Sequence, residues 1–485
     1  MRQRLQYGDS RAVGGRTLRH DADRPRRLGG VRRSIAVVWA IAVLGFAVPP
    51  AGWAQALKTT FVHLAQGVPA VLYQPVSAGP KAAIAVLVMH PEGDYLTMTP
   101  CTELSGRGYT VLCANSSVGK PEGGLSFSLE KVMLQVKLGV EYLRHQPGIR
   151  KIVLLGHSGG GALMSAYQNA AENGLKACQG PDKILKCDDQ IAGLPPADGL
   201  MLLDSNYGLA GMMLLSLDPA ITHEGEGGSL DPALNLFNPA NGYSPKGADY
   251  SDAFIHRFQQ AVARRNNRLV RTASDRLRAI ESGHGQYDDD DVMIIPGADY
   301  GQPNNKLFLQ DTRLLSHTRH AWPLVRKDGS VVTQIIRSVR VPDAGDATAT
   351  ASFERGALKT TVRHFLEAYA MRVSDDFAYD EDGITGVDWA SSLSSPSANV
   401  QHIGVPLLAM GMTGHYEFLA AELIYDSARS RDKSIAFVEG ASHLFTPCVE
   451  CEKTPGQFGD TVKTTFDYVD GWLSKPGRFL DDTGK

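Results

Sequence analysis

One serine lies in a sequence pattern that can make it a nucleophile. Residues 156–160, Gly-His-Ser-Gly-Gly, fit the pattern G-x-S-x-G and place Ser158 at its centre. The apolar run 151–155 before them predicts a strand buried on both faces, and good helix formers follow from Gly161. A sharp turn between strand and helix lifts a serine Oγ clear of the sheet. The pattern therefore predicts Ser158 as a nucleophile and the Gly159 N–H as a donor to a developing oxyanion.

A histidine follows the last strand that the sequence predicts. Residues 434–438 form that strand, and Glu-Gly-Ala-Ser-His comes directly after it, ending at His443. A neutral imidazole can take the proton of a serine hydroxyl and later give it to a leaving group. The position predicts His443 as a general base.

The elements that carry these two residues alternate between strands and helices. Apolar runs predict strands at 82–89, 109–114, 151–155 and 197–203, and helical spacing predicts a helix at 128–144. Such alternation is typical of a parallel α/β sheet.

The alternation stops near residue 205 and resumes at 405–410. We therefore expect an α/β core formed by 57–204 and 400–485. Residues 205–399, the cap segment, are expected to be a large, mainly helical insertion, with helices at 250–280 and 358–372.

These motifs resemble the α/β-hydrolase superfamily over about 57–204 and 400–475. The resemblance rests on the strand–turn–helix around Ser158 and on His443 after the last strand. It implies a mostly parallel sheet, a lid inserted after the strand that follows the serine, and acyl transfer to Ser158. A dehalogenase or epoxide hydrolase of this superfamily would need an aspartate at position 158.

The acid that should orient the histidine has two candidates. Most members of the superfamily carry an Asp just after the strand predicted here at 405–410, but Gly414 stands in that place and the nearest carboxylate is Glu417. Some lipases carry the acid after the previous strand, where this chain has Asp204. Asp204 could instead be a strand-end cap, and Glu417 a carboxylate favoured by a helix dipole. We expect Asp204 to be the acid and keep Glu417 as the alternative.

The second oxyanion donor should come from the loop after the strand at 82–89. This loop begins His90-Pro91, and a proline has no N–H to donate. The backbone N–H of Glu92 is therefore the expected donor, unless the loop is only a polar turn. We expect His90 to have a structural role.

The N-terminus has the order of a secretory signal. Residues 1–30 contain eight arginines and are interpreted as an untranslated or disordered extension. Residues 31–56 combine two arginines, an apolar run and the small-residue site Ala54-Gln55-Ala56, which predicts a cleaved signal peptide and an exported protein. The alternative is an uncleaved membrane anchor.

The six cysteines lie beyond the predicted signal, and their even number favours disulfides. Nearness in sequence suggests three pairs, namely Cys101 with Cys113, Cys178 with Cys187, and Cys448 with Cys451. No second pair has the spacing of zinc ligands, so we expect no metal and no cofactor.

Charge excludes one class of partner. Residues 1–56 hold ten basic and three acidic residues, so 39 basic and 49 acidic residues remain after them. An acidic chain without a basic stripe is a poor nucleic-acid binder.

The motifs together predict an exported serine hydrolase acting on a small- or medium-sized carboxylic ester. A thioesterase or amidase would use the same groups, and a binding module of this fold without activity is the alternative from another class.

Overall fold

The computed structural model describes residues 57–117, 128–225, 229–301, 306–343, 345, 347 and 350–480. The predicted N-terminal extension and signal peptide lie outside these residues.

Strands and α-helices alternate over residues 84–216 and 407–473, as the apolar runs predict. The strands are β1 (Leu57–His63), β2 (Pro69–Pro75), β3 (Ile84–His90), β4 (Thr110–Asn115), β5 (Lys151–Ser158), β6 (Gly199–Ser205), β7 (Val292–Ile295), β8 (His317–Val325), β9 (Val331–Arg337), β10 (Leu358–Thr361), β11 (Arg372–Tyr379), β12 (Ile384–Asp388), β13 (Leu407–Met412) and β14 (Lys433–Val438). The α-helices are α1 (Thr99–Gly106), α2 (Leu129–Arg144), α3 (Gly160–Asn173), α4 (Leu209–Ser216), α5 (Asp252–Glu281), α6 (Leu307–Gln310), α7 (Val362–His364), α8 (Pro396–Asn399), α9 (Ala420–Ser427) and α10 (Thr461–Leu473).

Within the described part of the chain, ten strands form one sheet in the order β1-β2-β4-β3-β5-β6-β13-β14-β8-β9. Every neighbouring pair from β4 to β8 is parallel, and the pairs at the two edges are antiparallel. The predicted fold class, α/β with a mostly parallel sheet, is confirmed. The parallel strands bring their carboxyl ends to one edge, where ligands of such sheets bind.

The central strands are buried on both faces, which explains their continuous apolar sequence. Along β3, Ile84, Val86 and Val88 pack into the layer that contains α1 and α10. Leu87 and Met89 pack into the opposite layer, which contains α2 and α3.

The cap segment is more mixed than the sequence suggested. It contains the long helix α5, as predicted, but β8 and β9 form a hairpin that joins the central sheet beside β14. The pairs β7–β10 and β11–β12 form two further small sheets. The helix predicted at 358–372 is wrong at both ends, because its first residues pair with β7 and its last residue begins β11. Only α7 and the five-residue π-helix Phe365–Tyr369 are helical there.

The six cysteines lie in three neighbouring pairs that are able to form disulfides. The Cα–Cα distances are 6.2 Å for Cys101–Cys113, 5.5 Å for Cys178–Cys187 and 5.2 Å for Cys448–Cys451, within the range that disulfides allow. No helix in the described ranges has both the length and the apolar character needed to cross a bilayer.

A buried carboxyl group connects the cap segment to the core. Glu367 accepts hydrogen bonds from the hydroxyl of Ser128 at 2.9 Å and from the N–H of Glu130 at 2.7 Å, at the start of α2. Burial raises the pKa of Glu367 from 4.5 to about 7, although the N–H of Glu130 partly opposes the shift.

We expect this carboxyl to make the folded state less stable as pH rises. Between about pH 4.5 and 7 the folded state keeps a proton that the unfolded state has lost, so the free energy of unfolding falls as pH rises through that window. Glu367→Gln should reduce the loss of stability between pH 5 and pH 8 by an amount on the order of 1–3 kcal/mol, measured by urea unfolding. Glu354→Gln, at an exposed side chain, is the control and should leave the loss unchanged. An equal loss in Glu367→Gln and wild type would contradict the expectation.

Candidate active site

Ser158 ends β5 in a backbone conformation that few residues other than glycine adopt. Its φ is 55°, in the left-handed region, and α3 begins two residues later. Glycines make this turn sterically feasible. A Cβ on Gly156 would lie 2.4 Å from the Gly160 carbonyl oxygen, and a Cβ on Gly161 would lie 1.8 Å from Ser205 Oγ. The sequence therefore forms the tight strand–helix turn that the G-x-S-x-G pattern predicts.

The loop that carries His443 is tied to the residue before the serine. His157 Nε2 lies 2.7 Å from the carbonyl oxygen of His443, and the two rings are 4.4 Å apart. Because a carbonyl only accepts, His157 carries its proton on Nε2, and its Nδ1 accepts from the Tyr95 hydroxyl at 2.6 Å. His157 thus holds the His443 backbone beside the Ser158 turn. Sequence reasoning missed this role, since any residue can occupy that position of the motif.

Asp204 is the penultimate residue of β6, which lies next to β5, and it also has a positive φ, of 45°. Its side chain is fully buried; Oδ1 accepts from the Met412 N–H at 2.9 Å, and Oδ2 lies 2.7 Å from His443 Nδ1. Burial alone would raise the pKa of Asp204, but His415 and His443 outweigh it and hold the pKa below its usual range. An ionised carboxylate only accepts hydrogen bonds. His443 therefore donates from Nδ1, and its Nε2 is left as a proton acceptor.

A second histidine contacts the same carboxylate oxygen. His415 Nδ1 lies 2.8 Å from Asp204 Oδ2, and its ring stacks on that of His443 with centroids 4.1 Å apart. The contact does not have the geometry of a hydrogen bond, but His415 is close enough to lower the pKa of Asp204. Sequence reasoning gave His415 no role, because only the three-dimensional packing brings it to Asp204.

The alternative acid, Glu417, lies in the same region with different partners. Its side chain is buried, and its Oε2 accepts no hydrogen bond from the described residues. Burial raises the pKa of Glu417 to about 7, against the opposing effect of His443. His443 Nδ1 donates its hydrogen bond to Asp204 and not to Glu417.

Gly414 has a steric reason to be glycine where the superfamily usually has an acid. A Cβ there would lie 2.7 Å from the Ala441 carbonyl oxygen and 2.7 Å from Cys448 Cβ. The Gly414 N–H also donates to the Ala441 carbonyl at 2.8 Å. The His443 loop therefore fills the space that an aspartate at 414 would need.

The predicted oxyanion donors differ in their surroundings. Gly159 precedes α3, so its N–H belongs to a helix start whose first N–H groups have no intrahelical acceptor. The N–H of Glu92 instead donates to His90 Nδ1 at 3.1 Å, beside the N–H of Gly93 at 2.7 Å. The structure thus contradicts the expectation that the Glu92 N–H faces the oxyanion.

The side chain of Glu92 is held separately. Its carboxyl accepts a hydrogen bond from the Tyr300 hydroxyl at 2.7 and 2.8 Å, and burial raises the pKa of Glu92 to about 7.

Two groups of side chains in the described ranges bring metal-binding atom types within 4.8 Å of one another. One contains Cys448 and Cys451, which are placed to form a disulfide with each other. The other is Asp204 with His415 and His443. In this group the 2.7 Å contact between Asp204 Oδ2 and His443 Nδ1 is a hydrogen bond, and the 2.8 Å contact between Asp204 Oδ2 and His415 Nδ1 is not.

The packing at Gly414 predicts a stability difference between two glycine variants. Gly414→Ala should destabilise the protein by about 1–3 kcal/mol, because the methyl group displaces the His443 loop. Gly471→Ala is the matched control, since Gly471 lies within α10 with open space around a Cβ. That change should stabilise by about 0.5–1 kcal/mol. Urea unfolding measures both, and a Gly414→Ala protein as stable as wild type would contradict the packing described.

Comparisons with known proteins found solved structures that resemble this chain at low sequence identity. No protein-family model matches the chain, and no curated protein matches its sequence. The siderophore hydrolase EstB from Aspergillus fumigatus is 13% identical with a TM-score of 0.41, over 88% of this chain and 100% of that one. Brefeldin A esterase, a bacterial homologue of human hormone sensitive lipase, is 12% identical with a TM-score of 0.38, over 91% and 80%. A soluble variant of monoglyceride lipase from Saccharomyces cerevisiae is 14% identical with a TM-score of 0.38, over 87% and 96%. Similarities of this size transfer neither activity nor substrate, so the fold class rests on the sheet order described above.

Proposed function

We propose that this protein is a serine hydrolase that cleaves carboxylic esters, with Ser158 as nucleophile, His443 as general base and Asp204 as the acid. One observation carries the proposal. Three groups suited to acyl transfer lie at the carboxyl ends of β5, β6 and β14, which run parallel in one sheet, and Asp204 Oδ2 lies 2.7 Å from His443 Nδ1. The left-handed conformation of Ser158 supports the same conclusion, because strain of this kind is common at functional sites.

The reaction follows from the protonation states at the site. His443 Nε2 takes the proton of Ser158 Oγ as the oxygen attacks the carbonyl carbon, and the carbonyl oxygen becomes an oxyanion beside the Gly159 N–H. The intermediate collapses, the alkoxide takes the proton from His443, and an alcohol leaves. Water then repeats the sequence on the acyl-enzyme, giving the carboxylic acid and free Ser158. Asp204 stabilises the imidazolium that forms in both halves.

Direct measurement can determine which esters the protein cleaves and whether it also cleaves thioesters or amides. Thioesters and amides use the same groups, so activity should be compared across p-nitrophenyl esters of several acyl lengths, aromatic esters, thioesters and amides. The large cap segment favours a small- or medium-sized substrate.

We further propose that the protein is exported and works in an oxidising compartment. The signal-like order of residues 31–56 and the three cysteine pairs able to form disulfides support this.

Ser158→Ala should abolish labelling by a fluorophosphonate probe and ester hydrolysis, while the protein stays folded. Its side chain is small and ends a strand, so little packing is lost. His443→Ala should also lose activity, on the order of 10⁴–10⁶ in kcat. Circular dichroism checks folding. A Ser158→Ala protein that kept a tenth of the activity would refute the assignment of Ser158 as the nucleophile.

Asp204→Asn and Glu417→Gln together test the acid. Asp204→Asn should lower kcat by about 10⁴, because the amide no longer holds His443 in the required tautomer. Glu417→Gln should change kcat only a few-fold. It should also stabilise the protein above pH 7, since the carboxyl it replaces has a pKa of about 7 and is ionised there without a partner on Oε2. If the kcat of Asp204→Asn stays near that of wild type while the kcat of Glu417→Gln falls by about 10⁴, the acid is Glu417.

A further inference from the structure

His90 lies against the residue that follows the proposed nucleophile. It is the last residue of β3, and a Cβ on Gly159 would be 3.0 Å from His90 Nε2 and 3.4 Å from its Cε1. The outer edge of the imidazole is therefore beside the Gly159 backbone, where the oxyanion of acyl transfer is expected to form.

Hydrogen bonds fix the tautomer of this ring. His90 Nδ1 accepts from the N–H groups of Glu92 and Gly93, at 3.1 and 2.7 Å. A ring nitrogen that accepts carries no proton, so the single proton of a neutral imidazole is on Nε2. Burial and the charge of His443 lower the pKa of His90 to about 3, so the ring is uncharged at neutral pH.

The ring is also held in place. It stacks on Tyr95 with centroids 4.8 Å apart and planes 8° from parallel. Tyr95 is itself fixed by its N–H bond to Asn115 at 2.7 Å and by its hydroxyl contact with His157. A donor with so little freedom needs little reorganisation during a reaction.

We propose that the Nε2–H of His90 is the second oxyanion donor, beside the N–H of Gly159. The inference rests on the proposed serine hydrolase function. The three residues that follow His90 offer no free backbone donor, because Pro91 has no N–H and those of Glu92 and Gly93 are directed at His90 Nδ1. These two N–H groups thus act through the imidazole, since their bonds to Nδ1 keep the proton on Nε2.

Two substitutions of His90 test this role. His90→Ala should lower kcat for a p-nitrophenyl ester by about 10²–10³ with KM within about three-fold, the effect of removing one oxyanion donor. The rate at which a fluorophosphonate labels Ser158 should fall in parallel, since the phosphonyl oxygen occupies the same place. His90→Gln should recover at least ten-fold of the kcat lost, because its amide N–H can reach the position of Nε2–H.

The outcomes separate this inference from the proposed function. If the wild type is not labelled at Ser158, the proposed function fails and this role fails with it. If the wild type is labelled, and a folded His90→Ala protein matches it in labelling rate and in kcat, the role of His90 as a donor is refuted while the proposed function stands. If His90→Ala does not fold, folded His90→Gln decides: kcat within ten-fold of wild type supports the donor, and a loss of about 10²–10³ overturns it. A loss mainly in KM, or one that Gln does not recover, would indicate a structural role and also overturn the proposal.

Discussion

The buried carboxylate of Asp204 is the constraint around which the proposed site is arranged. Taking an ionised carboxylate out of water is costly unless hydrogen bonds and opposite charge compensate. The compensation comes from three groups on two segments far from Asp204 in sequence: the Met412 N–H and His415 at and just after the end of β13, and His443 after β14. Removing any one of them leaves the buried charge less well paired. The position of β13, the close approach at Gly414 and the path of the His443 loop are therefore linked to this one side chain.

Three imidazoles lie in a row beside that carboxylate. The ring of His443 is 4.4 Å from that of His157 on one side and 4.1 Å from that of His415 on the other. Burial and the charge of His443 hold the pKa of His157 well below its usual value, so this ring stays neutral and acts through its fixed tautomer. His415 differs, because it touches Asp204 directly.

The parts of this structure that the sequence could predict depend on local patterns. Ser158 lies in a strand–glycine–helix turn, and the glycines next to it in the sequence indicate how tight that turn is. The core strands appear in the sequence as continuous apolar runs. The hairpin of β8 and β9 was missed because β8 mixes polar residues with a proline and pairs with β14 through two residues only. The segment 358–372 has helical spacing, but its first residues pair with β7, more than 60 positions earlier. Such pairings between distant segments override local propensity.

The sequence favoured Asp204 as the acid but kept Glu417 as the alternative, because burial alone does not determine the role of a buried carboxyl. Glu92 and Glu417 both have a pKa raised to about 7 by burial. Asp204 is buried at least as deeply, and its pKa moves the other way because His415 and His443 outweigh the effect of burial. The sequence shows three acids near strand ends but not which of them has these partners. What distinguishes the proposed acid is therefore the set of hydrogen bonds and charges around it, and those partners come from strands and loops that only the folded sheet brings together.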